Sequence, residues 1–171
     1  MEKPRMYVYG KVWNQTLRKM RDPISETVAR QRFETGPWFS VARLRTDILG
    51  IPIWSIELEP HGEVAKVLFY NTVGSIEKSH TFQRTSERLF MEKSIKYHYP
   101  DDSCFARMNE ADIVTVINYQ PDGITYVTTD DITRPDIERT SYEGVNITPN
   151  WEPMPKFGDW ESLARRDRSQ P

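Results

Sequence analysis

The sequence predicts an α+β chain, mainly antiparallel β: a closed or strongly curved meander sheet with N-terminal helices and a short C-terminal helix. Three observations predict it. Strand-period runs follow one another from Trp38 to Thr129 through short breaks, with no helical pattern between them. Several runs are apolar or aromatic on both faces, with Leu68 and Tyr70 set against Val67 and Phe69, and Ile113 and Ile117 set against Val114 and Val116. Such strands need cover on both sides, which a closed or strongly curved sheet backed by helices provides, with a two-layer sandwich as the competing architecture. A helical stripe precedes the runs, and a Pro- and aromatic-rich tail follows them.

The elements follow in order. Met6 to Val12 is rich in Tyr and Val and reads as a first strand. Trp13, Leu17, Met20, Ile24 and Val28 then fall on one stripe at helical spacing. Pro23 interrupts it, because proline lacks the backbone donor and disfavours helix at the residue before it. Asp22 therefore reads as an N-cap with Pro23 in the first helical position, which predicts two short helices, or one kinked helix, ending near Gly36. Trp38–Thr46, Ile51–Glu59, Val64–Asn71, Ser79–Arg84 and Arg88–Tyr99 are strand-like, with a turn at Pro60–Glu63. Ile113–Tyr119 and Ile124–Thr129 form the clearest hairpin, joined through Pro121-Asp122-Gly123. Beyond Pro149 the prolines break regular structure, and Trp151, Met154, Phe157 and Trp160 supply anchors for an extended strap. A short helix is expected from Asp159, with Arg165 and Arg166 at its C-terminal end. The whole reads as a single domain over 1–171, with a helical segment at 1–36, the meander at 38–130, and the tail at 149–171.

Composition narrows the function classes. The chain has 171 residues, 37% hydrophobic and 28% charged, which fits one well-buried core. Its 23 basic and 25 acidic residues are interspersed, so no basic face points to nucleic acid. Cys104 is the only cysteine, which excludes an internal disulfide. The N-terminus lacks the apolar run of a signal peptide, and no stretch approaches a membrane span, so a cytoplasmic location is the expectation. Phosphate-binding glycine loops, zinc-type cysteine pairs and a Gly-x-Ser-x-Gly elbow are missing from the sequence.

The candidate chemistry lies on the strand runs. His80 and Arg84 share one face of a run, and Glu92 lies on the next. An imidazole titrates near neutrality, a guanidinium holds an anion, and a buried carboxyl can have a raised pKa. His80 and Glu92 are therefore the candidates for proton transfer, and Arg84 for an anionic group. Tyr70, Tyr97 and Trp54 are candidates for orienting a ligand within an apolar pocket. By simple alternation Tyr97 lies opposite Glu92, so both line one pocket only if a bulge intervenes. The alternative for the charged residues is a solvated strand face. No metal or other cofactor is expected.

Gly36-Pro37-Trp38 comes after a helical segment and opens the first long strand. It resembles the Gly-x-Trp motif of the lipocalins and other calycins, in which a helix leads into the first barrel strand and the Trp closes one end of the barrel. The resemblance implies a β-barrel with a cavity for a small hydrophobic or aromatic molecule. The reading that follows is a small-molecule-binding β-barrel, acting as a binder or as a cofactor-independent isomerase, cyclase or lyase. Its rival is a protein-binding inhibitor such as the immunity partner of a toxin, using Asp101-Asp102, Asp130-Asp131 and the aromatic tail. Neither nucleic acid nor membrane is an expected partner, and a homo-oligomer is left open.

Overall fold

The computed structural model describes residues 7–59 and 64–171. The expected Pro60–Glu63 turn and the N-terminal Met1–Arg5 segment lie outside the described residues. The chain order is β1 (Tyr7–Gly10), β2 (Val12–Asn14), β3 (Lys19–Arg21), α1 (Glu26–Thr35), β4 (Phe39–Leu44), β5 (Pro52–Leu58), β6 (Val64–Tyr70), β7 (Ile76–Thr85), β8 (Arg88–His98), β9 (Ile113–Tyr119), β10 (Thr125–Asp131), β11 (Glu138–Tyr142) and β12 (Trp151–Pro153).

The main sheet pairs in the order β1-β4-β5-β6-β7-β8-β9-β10-β11, and every pairing is antiparallel. The expected meander from β4 through β10 is present. The expected closure is not: among the described residues β1 and β11 do not pair, and the sheet is open rather than closed or strongly curved. The two-faced apolar pattern has another cause, which is that each face has its own cover. Val67 and Phe69 belong to one buried cluster with Phe39, Val41, Trp54, Ile56 and Phe82, roofed by Ala29 of α1 and by Trp160 and Leu163 from the C-terminal segment. Leu68 and Tyr70 belong to a second cluster with Ala42 and Ile76, covered by Trp13 and Met20. Separate covers bury both faces without closing the sheet.

Trp13 and Met20 sit opposite each other on β2 and β3, which form a two-stranded hairpin where the stripe predicted helix. Their spacing of seven residues satisfies a helical period and a cross-strand pair equally well. Leu17 lies at the hairpin turn and is 60% exposed. Gly10 makes the hairpin's close approach possible, because a Cβ there would lie 2.6 Å from the Arg21 carbonyl oxygen. In place of two short helices or one kinked helix there is, among the described N-terminal residues, α1 alone, and it starts later than Asp22. Ser25 is its cap, and its hydroxyl accepts from the Val28 N–H at 3.2 Å. Ala29 is its buried residue, while Val28 is 38% exposed.

The lipocalin resemblance is corrected at the same place. Gly36 is the left-handed C-cap of α1, with φ of 102° and its N–H bonded to the Arg32 carbonyl. Trp38 is 37% exposed, so it closes no barrel end. With an open sheet there is no barrel-shaped pocket, and the small-molecule-binding barrel with isomerase, cyclase or lyase activity loses its basis. Nothing in the described residues supports the immunity-protein alternative either.

The C-terminal segment forms no helix. A single turn, in which the Ala164 N–H bonds to the Trp160 carbonyl, precedes an extended stretch. This segment and β12 are docked by aromatic anchors. Trp160 packs edge-on against Phe33 at 5.8 Å and Phe39 at 6.3 Å, and β12 pairs antiparallel with β8 along Arg88–Phe90.

Candidate functional site

Strands β7, β8 and β9 place two cross-strand rows of side chains under the C-terminal segment. Lys78 pairs with Lys96, and Lys96 with Thr115; one row along, His80 pairs with Ser94 and Ser94 with Ile117. All of these lie on the face that α1 and the C-terminal segment cover. Toward one end of the sheet the cover is incomplete and leaves a groove of about 690 Å³. Its walls include Lys78, Lys96, His98 and Thr115 from the sheet, and Arg166, Asp167 and Arg168 from the C-terminal segment.

Ionic bonds hold that wall in place. Arg168 is buried. Its guanidinium donates to Glu152 Oε1 at 2.8 Å, to the Pro149 carbonyl at 2.8 Å and to the Ser162 carbonyl at 2.8 Å, and lies 4.8 Å over the Phe82 ring. Glu152 on β12 also accepts from Arg165 at 3.0 Å. Arg166 pairs with Glu77 at the start of β7. The Tyr119 hydroxyl donates to the Ser169 carbonyl at 2.7 Å. The sheet, β12 and the wall of the groove are thus tied together by interactions far apart in sequence.

The electrostatics of the groove are one-sided. Lys78, Lys96, Arg166 and Arg168 face two carboxylates, Glu77 and Asp167, and His98 sits at the rim bonded to Asp112 at 2.7 Å. Glu77 is committed to Arg166. Lys78 is 6% exposed, and its ammonium donates to the Arg166 carbonyl oxygen at 2.8 Å. Among the described residues it has no carboxylate within ion-pair distance. Its cross-strand neighbour is another lysine, a pairing that is unfavourable in itself. Burial first, and then Lys96, Arg166 and Arg168, push the Lys78 pKa down to about 8 against a weaker pull from Asp167.

His80, the candidate acid–base group, lies one row deeper and is 1% exposed, edge-on to Phe69 at 5.0 Å. Burial, with Lys78, Arg168 and Arg166 adding to it, pushes its pKa down to about 2, so the ring is neutral through the physiological range. Neither ring nitrogen has a hydrogen-bond partner among the described residues. Arg84 is at the exposed end of β7, bonded to the Ser86 carbonyl at 2.9 Å and near Glu87 at 3.6 Å. Glu92 is the extra residue of a bulge, since Thr81 pairs with Lys93 and Phe82 with Met91. It lines a separate hollow of about 250 Å³ with Lys93, Asn118 and Gln120. His80, Arg84 and Glu92 therefore do not converge. Trp54 is buried beside Tyr7, with ring centres 5.8 Å apart. Tyr70 is buried under the opposite face, sharing a hydrogen bond of 2.8 Å with Ser55, and burial raises its pKa. Tyr97 contributes to the basic groove, and burial raises its pKa against a hydrogen bond to Ser79.

Sequence reasoning missed Lys78, Lys96 and the tail arginines. Lys78 lies one residue before the Ser79–Arg84 run and in alternation with His80 and Phe82, which was the available signal. Its pairing with Lys96 depends on register, which a single strand does not carry.

Comparison with protein-family models, with curated proteins and with solved structures gives no match to the chain. Among the described residues no helix is long and apolar enough to cross a membrane, and no group of three or more His, Cys, Asp or Glu side chains is placed to hold a metal ion.

Proposed function

We propose that this chain is an anion-binding protein that takes a carboxylate or phosphate group in the groove between the β7–β9 face and the C-terminal segment. The observation that carries this reading is Lys78, a nearly buried ammonium set against Lys96 and provided with a carbonyl oxygen but no carboxylate. A buried charge without a counter-ion is costly, and a bound anion supplies the missing partner. Arg166 and Arg168 are each paired with a glutamate, so the uncompensated positive charge at the groove is that of Lys78 and Lys96. The groove opens where the C-terminal segment leaves that sheet face uncovered, and its volume suits a small organic acid or a phosphorylated group.

Titration calorimetry with inorganic phosphate and with acetate tests the reading, together with NMR shifts at Lys78, Lys96 and Thr115. Saturable binding is expected, with a dissociation constant of about 1 mM or tighter for the better anion. Lys96→Gln, at an exposed position, is expected to weaken it. Absence of any saturable change with either anion, or binding that Lys96→Gln leaves intact, would overturn the assignment.

A further inference from the structure

The groove holds more than a set of cations. We infer that Lys78 Nζ is a carbonyl-reactive amine, and that the ligand it meets is a small carboxylate bearing an aldehyde or ketone carbon, such as a 2-oxo acid. The inference rests on the anion-binding reading above and deepens it by naming the ligand class.

The geometry carries it. Lys78 projects from the middle of the sheet into the groove and is almost covered, so its amine meets what enters the groove rather than bulk water. One N–H is committed to the Arg166 carbonyl, which fixes the nitrogen and leaves its other positions for the ligand. Lys96 lies directly across on β8, exposed and with no carboxylate partner among the described residues, next to the Thr115 hydroxyl on β9. A carboxylate held by Lys96 places an adjacent carbonyl carbon toward Lys78. The charged groups facing Lys78 are Lys96 on β8, Arg166, Asp167 and Arg168 on the C-terminal segment, and Glu77 beside it on β7. A lysine desolvated beside other cations carries a usable fraction of neutral amine at neutral pH, the condition under which lysine acts as a nucleophile. An ordinary phosphate or carboxylate anchor would gain from a lysine that holds its proton firmly, and this site loosens it.

The chemistry balances without a redox partner. The neutral amine forms a C–N bond to the carbonyl carbon, and the carbonyl oxygen takes a proton to become a hydroxyl. Loss of that hydroxyl with a second proton, as one water, leaves a C=N bond. No electrons are exchanged with any other group.

The test incubates the full chain with pyruvate and cyanoborohydride, which reduces the C=N bond to a stable secondary amine. Peptide mass mapping then locates the adduct. Label is expected at Lys78 about tenfold faster than at the exposed Lys19 and Lys156, because the lowered proton affinity there outweighs the lower intrinsic reactivity. Lys78→Arg, which keeps the charge, is expected to abolish that label. Lys96→Gln is expected to slow it at low pyruvate and to be rescued at high pyruvate. Acetate, which lacks a ketone, is expected to compete. Labelling of Lys78 no faster than of Lys19 and Lys156 overturns the inference. Pyruvate and acetate binding measured without reductant separates the two readings. Saturable binding with no Lys78 adduct removes the amine chemistry and leaves the anion site standing, whereas no binding and no adduct remove both.

Discussion

Replacing Lys78 by methionine keeps most of the side chain's length and removes its charge, and the structure sets both the sign and the size of the effect. The folded-state pKa is lowered to about 8 from 10.5, so the native state binds this proton less well than the unfolded chain. Below pH 8 both states are protonated and the native state carries the full penalty. Between about 8 and 10.5 the unfolded chain keeps the proton that the native state has released, so the parent protein gains stability as pH rises. The penalty is gone above 10.5. At 1.36 kcal/mol per pKa unit it amounts to about 3 kcal/mol at pH 7 and about 1 kcal/mol at pH 10. The variant also loses the hydrogen bond to the Arg166 carbonyl, at a cost of about 1 kcal/mol that does not vary with pH. Lys78→Met is therefore expected to be more stable than the parent by about 2 kcal/mol at pH 7 and nearly equal to it at pH 10. Urea unfolding of both proteins at the two pH values, in low-salt buffer free of phosphate and carboxylate, reads this directly. A difference between the two proteins that does not change with pH would refute the placement of Lys78 as a buried, uncompensated cation.

Three further outcomes follow from other contacts. His80 has a folded-state pKa near 2 against 6.5 unfolded, so it favours the native state above pH 6.5, and that contribution is lost as pH falls, at up to about 1.4 kcal/mol per unit. His80→Phe is expected to shallow the acid limb of stability by that slope, as urea unfolding at pH 7 and pH 5 would show. Glu152→Gln leaves the buried Arg168 without its carboxylate and is expected to cost about 3–5 kcal/mol, with faster proteolysis of the C-terminal segment. Gly10→Ala would place a Cβ 2.2 Å from Met20 Cγ and 2.6 Å from the Arg21 carbonyl oxygen, so a loss of about 1–3 kcal/mol in urea unfolding is expected.

The central strands were legible because their signals are local. The runs that became β6 to β10 are rich in β-branched and aromatic residues, and Pro121-Asp122-Gly123 marks a turn by its own chemistry. Closure was misjudged because apolar alternation reports that a face is covered and not what covers it. Trp13 and Met20, which cover Leu68 and Tyr70, were themselves read as helix. β11 went unread because its residues, Glu-Arg-Thr-Ser-Tyr, are all exposed and carry no alternation. The site was hidden for a related reason. The bulge at Glu92 puts Met91 and Leu89 across from Phe82 and Arg84, on the face that simple alternation along β8 gives to Glu92. Arg166 and Arg168 reach the groove through a segment docked by Trp160 and Glu152, about 90 positions from β7, which no local pattern discloses.

The most direct test of the anion site is a carbon NMR titration of the Lys78 Cε signal, with and without phosphate. A midpoint near pH 8 is predicted for the free protein, moving upward when the anion binds, because the bound charge favours the protonated amine. A Lys78 signal that titrates with the other lysines near 10.5, unmoved by phosphate, would contradict the account.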